Sequence, residues 1–147
     1  MRFTTLNQII NKLEAIQQSH AQLNGFGFGE TFEISTVQEN YPLMWANILT
    51  SSISGKTLSL ALGVLVLDIV SDDNRNEKDI LSDTLSISQD IYALLADPAN
   101  EDNFLASESV TLDPIFEGLP DKVNGWLMTV NVELAYESNR CQIPFKQ

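Results

Sequence analysis

Apolar residues at the start of the chain recur at helical spacing. Between Thr4 and Leu23, the residues Leu6, Ile9, Ile10, Leu13 and Ile16 follow an i, i+3, i+4, i+7 rhythm that makes one apolar stripe. Thr5 followed three residues on by Gln8 resembles a capping box, and Asn24-Gly25 is a natural stop, since Gly accepts the left-handed conformation that ends many helices. His20 falls near that end, where a partial positive charge suits the helix dipole, so its expected role is structural.

The period then changes from helix to strand. Thr31 to Thr36 is a short strand candidate, and Asn40-Tyr41-Pro42 makes a turn. Leu43 to Ser51 and Thr57 to Val70 are two β-prone stretches joined by a hairpin loop, Ser52-Ile53-Ser54-Gly55-Lys56. In the second stretch Leu58, Leu60, Leu62, Val64 and Val66 share one face, while Ala61, Gly63, Leu65, Leu67 and Ile69 share the other. A strand apolar on both faces is a central one, and Gly63 within it marks a bend or a close backbone approach.

A polar break, Ser71 to Asn76, precedes a second helix predicted over Glu77 to Ala96. Its stripe is Ile80, Thr84, Ile87, Ile91 and Leu95, widened by Leu81, Leu85 and Tyr92, and it stops at Asp97-Pro98. Asn103 to Leu112 is a strand candidate that Asp113-Pro114 breaks. Gly125 to Glu137 alternates Trp126, Met128, Val130, Val132, Leu134 and Tyr136 with Leu127, Thr129, Asn131, Glu133 and Ala135, which predicts one buried and one mostly wet face. Residues 138–147 read as a tail. Helix, three strands, helix, two strands disfavours a doubly wound parallel sheet. It predicts one α+β domain over 1–147, an antiparallel or mixed sheet with two helices packed on one face. The strands carry more apolar surface than two short helices are expected to cover, which invites neighbouring subunits.

Composition narrows the function. The chain has 147 residues, 44% of them hydrophobic, and a net charge of −12 from 20 acids against 8 Lys and Arg. Such a chain folds without disulfide or metal, and it lacks the basic patch that grips nucleic acid. The lone Cys141 has no bridge partner within the chain, no Cys–His set is present for zinc, and one histidine supplies no triad. The N-terminal residues lack the apolar core of a signal peptide, and the longest apolar run, Leu58 to Val70, is too short to span a bilayer as a helix. The expectation is a soluble protein made in a reducing cytoplasm.

Three motifs suggest chemistry and then lose it. Gly25-Phe26-Gly27-Phe28-Gly29 follows a helix rather than a strand and has no Lys-Ser/Thr pair after it, so it is a bent connector rather than a phosphate loop. Asp72, Asn74 and Asn76 are spaced like the start of a calcium loop. Its sixth and twelfth positions are Glu77 and Asp83, not Gly and Glu, so helix capping and surface polarity account for these residues. The acids crowd between Asp68 and Asp97, the pattern of a solvated face, and Cys141 has no matched base. The expectation is no enzymatic activity, with no catalytic, cofactor-binding or metal-binding residues.

Several phrases carry a family resemblance. Tyr41-Pro42-Leu43-Met44-Trp45, then the hairpin and Leu62 to Val70, then the polar break and the helix containing Ile80-Leu81-Ser82-Asp83, and finally Gly125 to Val132, resemble the tail terminator and tail-completion proteins of tailed bacteriophages. They also resemble the related neck-ring proteins of crAss-like phages. The resemblance spans about Gly25 to Pro144 and lies in element order and short phrases. It implies a mixed sheet flanked by helices, assembled in the host cytoplasm into virion rings of six or twelve copies at the head–tail junction or upper tail. Such rings have no enzymatic site; they stop tube growth, join head to tail and leave a channel for DNA. The implied partners are copies of the same chain, a portal or connector, the tail tube or an adjacent ring, with DNA only passing through and no membrane involved.

In such a ring the contact candidates are the hairpin-tip residues Ser54, Gly55 and Lys56, with Lys56 pairing an acid such as Asp72 or Asp73 of a neighbour. Acidic walls would repel the phosphate backbone and let genome slide past. The alternative is a stand-alone binding or adaptor module, which calls for one well-formed pocket with convergent polar groups.

Overall fold

The computed structural model describes residues 6–30, 40–70, 75–97, 104–116, 123–135 and 144–146. The elements in chain order are α1 (Leu6–Ser19), β1 (Gly25–Phe28), β2 (Leu43–Ser54), β3 (Thr57–Ile69), α2 (Glu77–Leu95), β4 (Phe104–Ala106), β5 (Thr111–Phe116) and β6 (Val123–Ala135). They form an α+β fold around one mixed six-stranded sheet. Its order is β1-β2-β3-β6-β4, and β5 also pairs with β6. β1 runs parallel to β2, and every other pairing is antiparallel. β4 and β5 share the far edge of β6 in succession, β4 against Val132–Leu134 and β5 against Asn124–Thr129.

One face of the sheet carries both helices. Ile9, Leu13 and Ile16 of α1 and Ile87, Ile91 and Leu95 of α2 pack with Met44, Ala46, Leu60, Leu62, Val64, Val66, Met128, Val130, Val132 and Leu134 in a single cluster. The apolar stripes expected for both helices are thus the buried ones, except that Leu6, at the first residue of α1, is exposed. Two polar groups pin α2 to its surroundings. Trp126 Nε1 donates to Leu81 O at 2.8 Å, and the Tyr92 hydroxyl donates to Ser107 O. Within α2, Thr84 and Ser88 are buried and turn their hydroxyls back onto Ile80 O and Thr84 O.

The opposite face holds a smaller cluster of Leu43, Trp45, Leu65, Leu67 and Val123, with Tyr41, Ile115 and Leu127 against it. These five are at most 5% exposed in the single chain. The expected surplus of apolar strand surface therefore does not lie here: this end of the second face closes without a neighbour. It also corrects the expectation for β6, whose first residues, Val123 to Leu127, are covered on both faces rather than wet on one.

The expected strand Asn103 to Leu112 is split into β4 and β5, because Ser107 accepts from the Ser109 N–H through its Oγ and from Tyr92 through its carbonyl, which turns the chain over 107–110. Four other boundaries differ from the sequence reading, each for a local reason. α1 ends at Ser19 instead of near Asn24, because Ser19 Oγ bonds Ile16 O and His20 Nδ1 accepts the Gln22 N–H, two side-chain bonds that compete with helix continuation. Gly25 to Phe28 is a paired strand, not a connector; the glycine opposite Trp45 makes room for the indole. The hairpin loop is only Gly55-Lys56, since Ser52↔Ser59, Ile53↔Leu58 and Ser54↔Thr57 extend the ladder to the tip. Asp113-Pro114 lies inside β5 rather than ending a strand. An edge strand needs no N–H on its open side, so Pro114 fits there. The expected strand at Thr31 to Thr36, the capping Thr5 and Cys141 lie outside the described residues.

Candidate functional site: the exposed hairpin edge

β1 accompanies β2 only as far as Ala46, while β2 continues to Ser54. From Leu49 to Lys56 every residue is exposed, so the distal part of β2 forms an uncovered arm along the sheet edge, while β3 beside it stays paired with β6 as far as Thr57↔Ala135. A β-bulge between Ile48 and Thr50 marks its base. Gly55, with φ of 60°, takes the first place of the two-residue turn, where the primed turns that match strand twist require a positive φ. Leu49 is 46% and Ile53 58% exposed, and the arm's remaining side chains are Ser, Thr, Gly and one Lys.

Charge isolates this arm from the rest of the molecule. Between Glu39 and Asp68 the one charged side chain is Lys56, in a chain of net charge −12. Among the described residues no acid lies within ion-pair range of Lys56, and the contact candidates Ser54, Gly55 and Lys56 do share the tip. The other two candidates, Asp72 and Asp73, lie outside the described residues.

The described acids of α2 take the opposite role. Asp79, Asp83 and Asp90 are exposed along the helix, and Asp97 just beyond it is exposed too. Asp68, at the far end of β3, has its carboxyl held above the usual carboxylate range. Burial is the main cause and the nearby Asp83 adds to it, while the Ile69 N–H bonded to Asp68 Oδ1 at 2.8 Å pulls the other way. Asn76 occupies the N-cap of α2, but its side chain makes no capping bond and instead reaches Ile69 O at 3.4 Å, which corrects the capping role expected for it. His20 lies just past the end of α1. Its Nε2 lies 2.9 Å from Asp90 Oδ2, which ties the end of α1 to α2.

Where β1 stops, the open side of β2 forms a notch. Phe28, Gly29, Glu30, Asn47, Ile48 and Leu49 line an open cavity of about 530 Å³. Asn47 Oδ1 is buried beside Gly63 and has no hydrogen-bond partner among the described residues. Gly63 is thus a site of close approach, one of the two readings its sequence position allowed. Sequence reasoning missed this notch because it depends on β1 being a strand. The alternation of Phe26 and Phe28 around Gly27 was the available signal.

Among the described residues, no three His, Cys, Asp or Glu side chains gather as metal ligands, and no helix is long and apolar enough to cross a membrane. No known protein-family model matches the chain, and no curated protein matches it at a significant level.

Proposed function

We propose that this chain is a structural subunit of a tailed-bacteriophage virion, forming a ring at the head–tail junction or upper tail that completes or joins the tail and leaves a channel for DNA. The observation that carries the reading is the bare distal edge of β2: an uncharged, exposed β arm with a single cation at its tip, on a chain whose net charge is −12. Acidic subunits repel one another, so self-assembly favours contacts through the least charged surface. The phrases that resemble tail terminator and tail-completion proteins fall on β2, β3, α2 and β6, the frame from which this arm extends. In the ring, Lys56, with Ser54 and Gly55 beside it, meets acids of a neighbour, Asp72 or Asp73 among them. Each exposed pair contributes about 0–1 kcal/mol. The exposed acids of α2 line or flank the channel and keep the genome's phosphates from adhering.

Negative-stain microscopy and light scattering of the protein alone, and mixed with isolated connectors or tail tubes, test the proposal. Closed rings, or capped tubes and connectors, are expected. A protein that stays monomeric and joins neither structure refutes it. An assembled channel with a neutral or basic wall, the acids outside, refutes the DNA-sliding role.

A further inference from the structure

Among the described residues, no strand other than β3 pairs with β2 from Asn47 to Ser54, and the described part of β1 stops opposite Ala46. An open edge offers a row of backbone donors and acceptors that another strand can complete, and proteins usually blunt such edges with charge, proline or cover. The far edge of this sheet is blunted. β4 is three residues long, and β5 carries Asp113 and Pro114. The Asn47–Ser54 edge has no charge and no proline, and it exposes Leu49 and Ile53.

We propose that this edge dimerises the protein: a second copy adds its own Asn47–Ser54 segment, antiparallel, about a two-fold axis. The guarded far edge leaves this segment as the best match for itself, and an uncharged segment meets its copy without the repulsion that a −12 chain meets elsewhere. The ends of the contact match as well. In this arrangement Ser54 of one copy faces Asn47 of the other, which brings the Gly55-Lys56 tip to the notch where β1 ends. Glu30 sits exposed at that notch, just past Gly29, whose φ of 140° turns the chain out of β1. Lys56 of each copy therefore meets Glu30 of the other. Within one chain the two are kept apart by the length of the arm, about 25 Å of strand. The dimer makes this ion pair twice.

The inference does not rest on the phage reading. A two-fold contact cannot close a single ring of six; it would join two such rings face to face. The test is sedimentation equilibrium of the full chain over a range of concentrations, with the variants Lys56→Glu, Glu30→Lys, their combination, and Ile53→Lys. A dimer is expected for the wild type. Lys56→Glu and Glu30→Lys each weaken it by about tenfold or more, since each reverses both symmetric pairs. The combined charge swap restores it, and Ile53→Lys, which puts a charge on the bare edge, abolishes it. All three sites are exposed, and circular dichroism should show an unchanged fold. A wild type that remains monomeric at high concentration overturns the inference. So does a dimer that none of the variants weakens, or two single reversals that do not rescue each other. A six-membered ring insensitive to all four refutes the edge contact and the Lys56 pairing proposed for the ring, while leaving ring formation itself intact.

Discussion

The indole of Trp45 occupies the space that a side chain at position 27 would need. A Cβ on Gly27 would lie 2.2 Å from Trp45 Cζ3, and the same indole donates from Nε1 to Gly29 O at 2.9 Å. The ring thus clamps β1 to β2 from the side, adding a side-chain bond to the parallel ladder. Gly27→Ala should push the indole aside, break the Nε1 bond and cost about 2–3 kcal/mol. Urea unfolding followed by tryptophan fluorescence checks this, and the native emission should shift as the 5%-exposed ring becomes wetter.

His20 makes two bonds, one that fixes its ring locally and one that ties the end of α1 to α2. Its Nδ1 accepts from the Gln22 N–H at 3.1 Å, which assigns the ring proton to Nε2, directed at Asp90 Oδ2. Asp90→Asn keeps an acceptor there and should cost well under about 1 kcal/mol, because Asp90 is exposed. His20→Ala loses the turn bond as well and should cost about 1 kcal/mol. Chemical denaturation of both variants tests the order of the two effects.

Ile91 is fully buried where α2 meets the sheet. Ile91→Ala should destabilise by about 2–5 kcal/mol, the lost transfer energy plus the cavity it leaves. The denaturation midpoint should fall without a change in slope. An unchanged midpoint would mean that α2 is not docked as described.

Asp68 sets a pH dependence whose sign is opposite to that of a salt-bridged acid. Its folded pKa lies above the unfolded one, so the folded state binds the proton more tightly. That stabilisation is complete below the unfolded pKa and is lost as pH rises through the folded pKa. Asp68→Asn should therefore raise the melting temperature at pH 7, by no more than about 2 °C at this partly exposed site, and the gain should vanish on acidification towards pH 4. Melting curves at the two pH values decide it. An equal effect at both rules out the ionised carboxyl as its source.

The sequence made some of this legible and hid the rest for physical reasons. The stripes of α1 and α2 were visible because burial on one helix face leaves a 3.6-residue rhythm that Ile9, Leu13, Ile87 and Ile91 keep. β3 was visible as a central strand because both of its faces are apolar. β1 was not, since Gly25 and Gly27 have no strand propensity of their own, and it is the ring of Trp45, distant in sequence, that places them. β5 was obscured by Asp113 and Pro114, which end a strand in the interior of a sheet but protect one at its edge. Of the candidate site, the cationic tip could be read from composition. The notch beside it could not, because it exists only where a four-residue strand stops short of its longer neighbour.

The bulge between Ile48 and Thr50 has a consequence for how the arm can vary. It re-phases the strand: before it, Leu43 and Trp45 point away from the helices, and after it, Ile53 stands opposite Leu58 on the helix side. On β2 the packed side chains therefore give way to an exposed edge at the bulge, while β3 opposite keeps Leu58 and Leu60 against the core and stays paired with β6 to the tip. The bulge is in effect a seam between two unlike neighbours: changes on β2 beyond it alter the surface, whereas a change one strand over, at Leu60, reaches the interior.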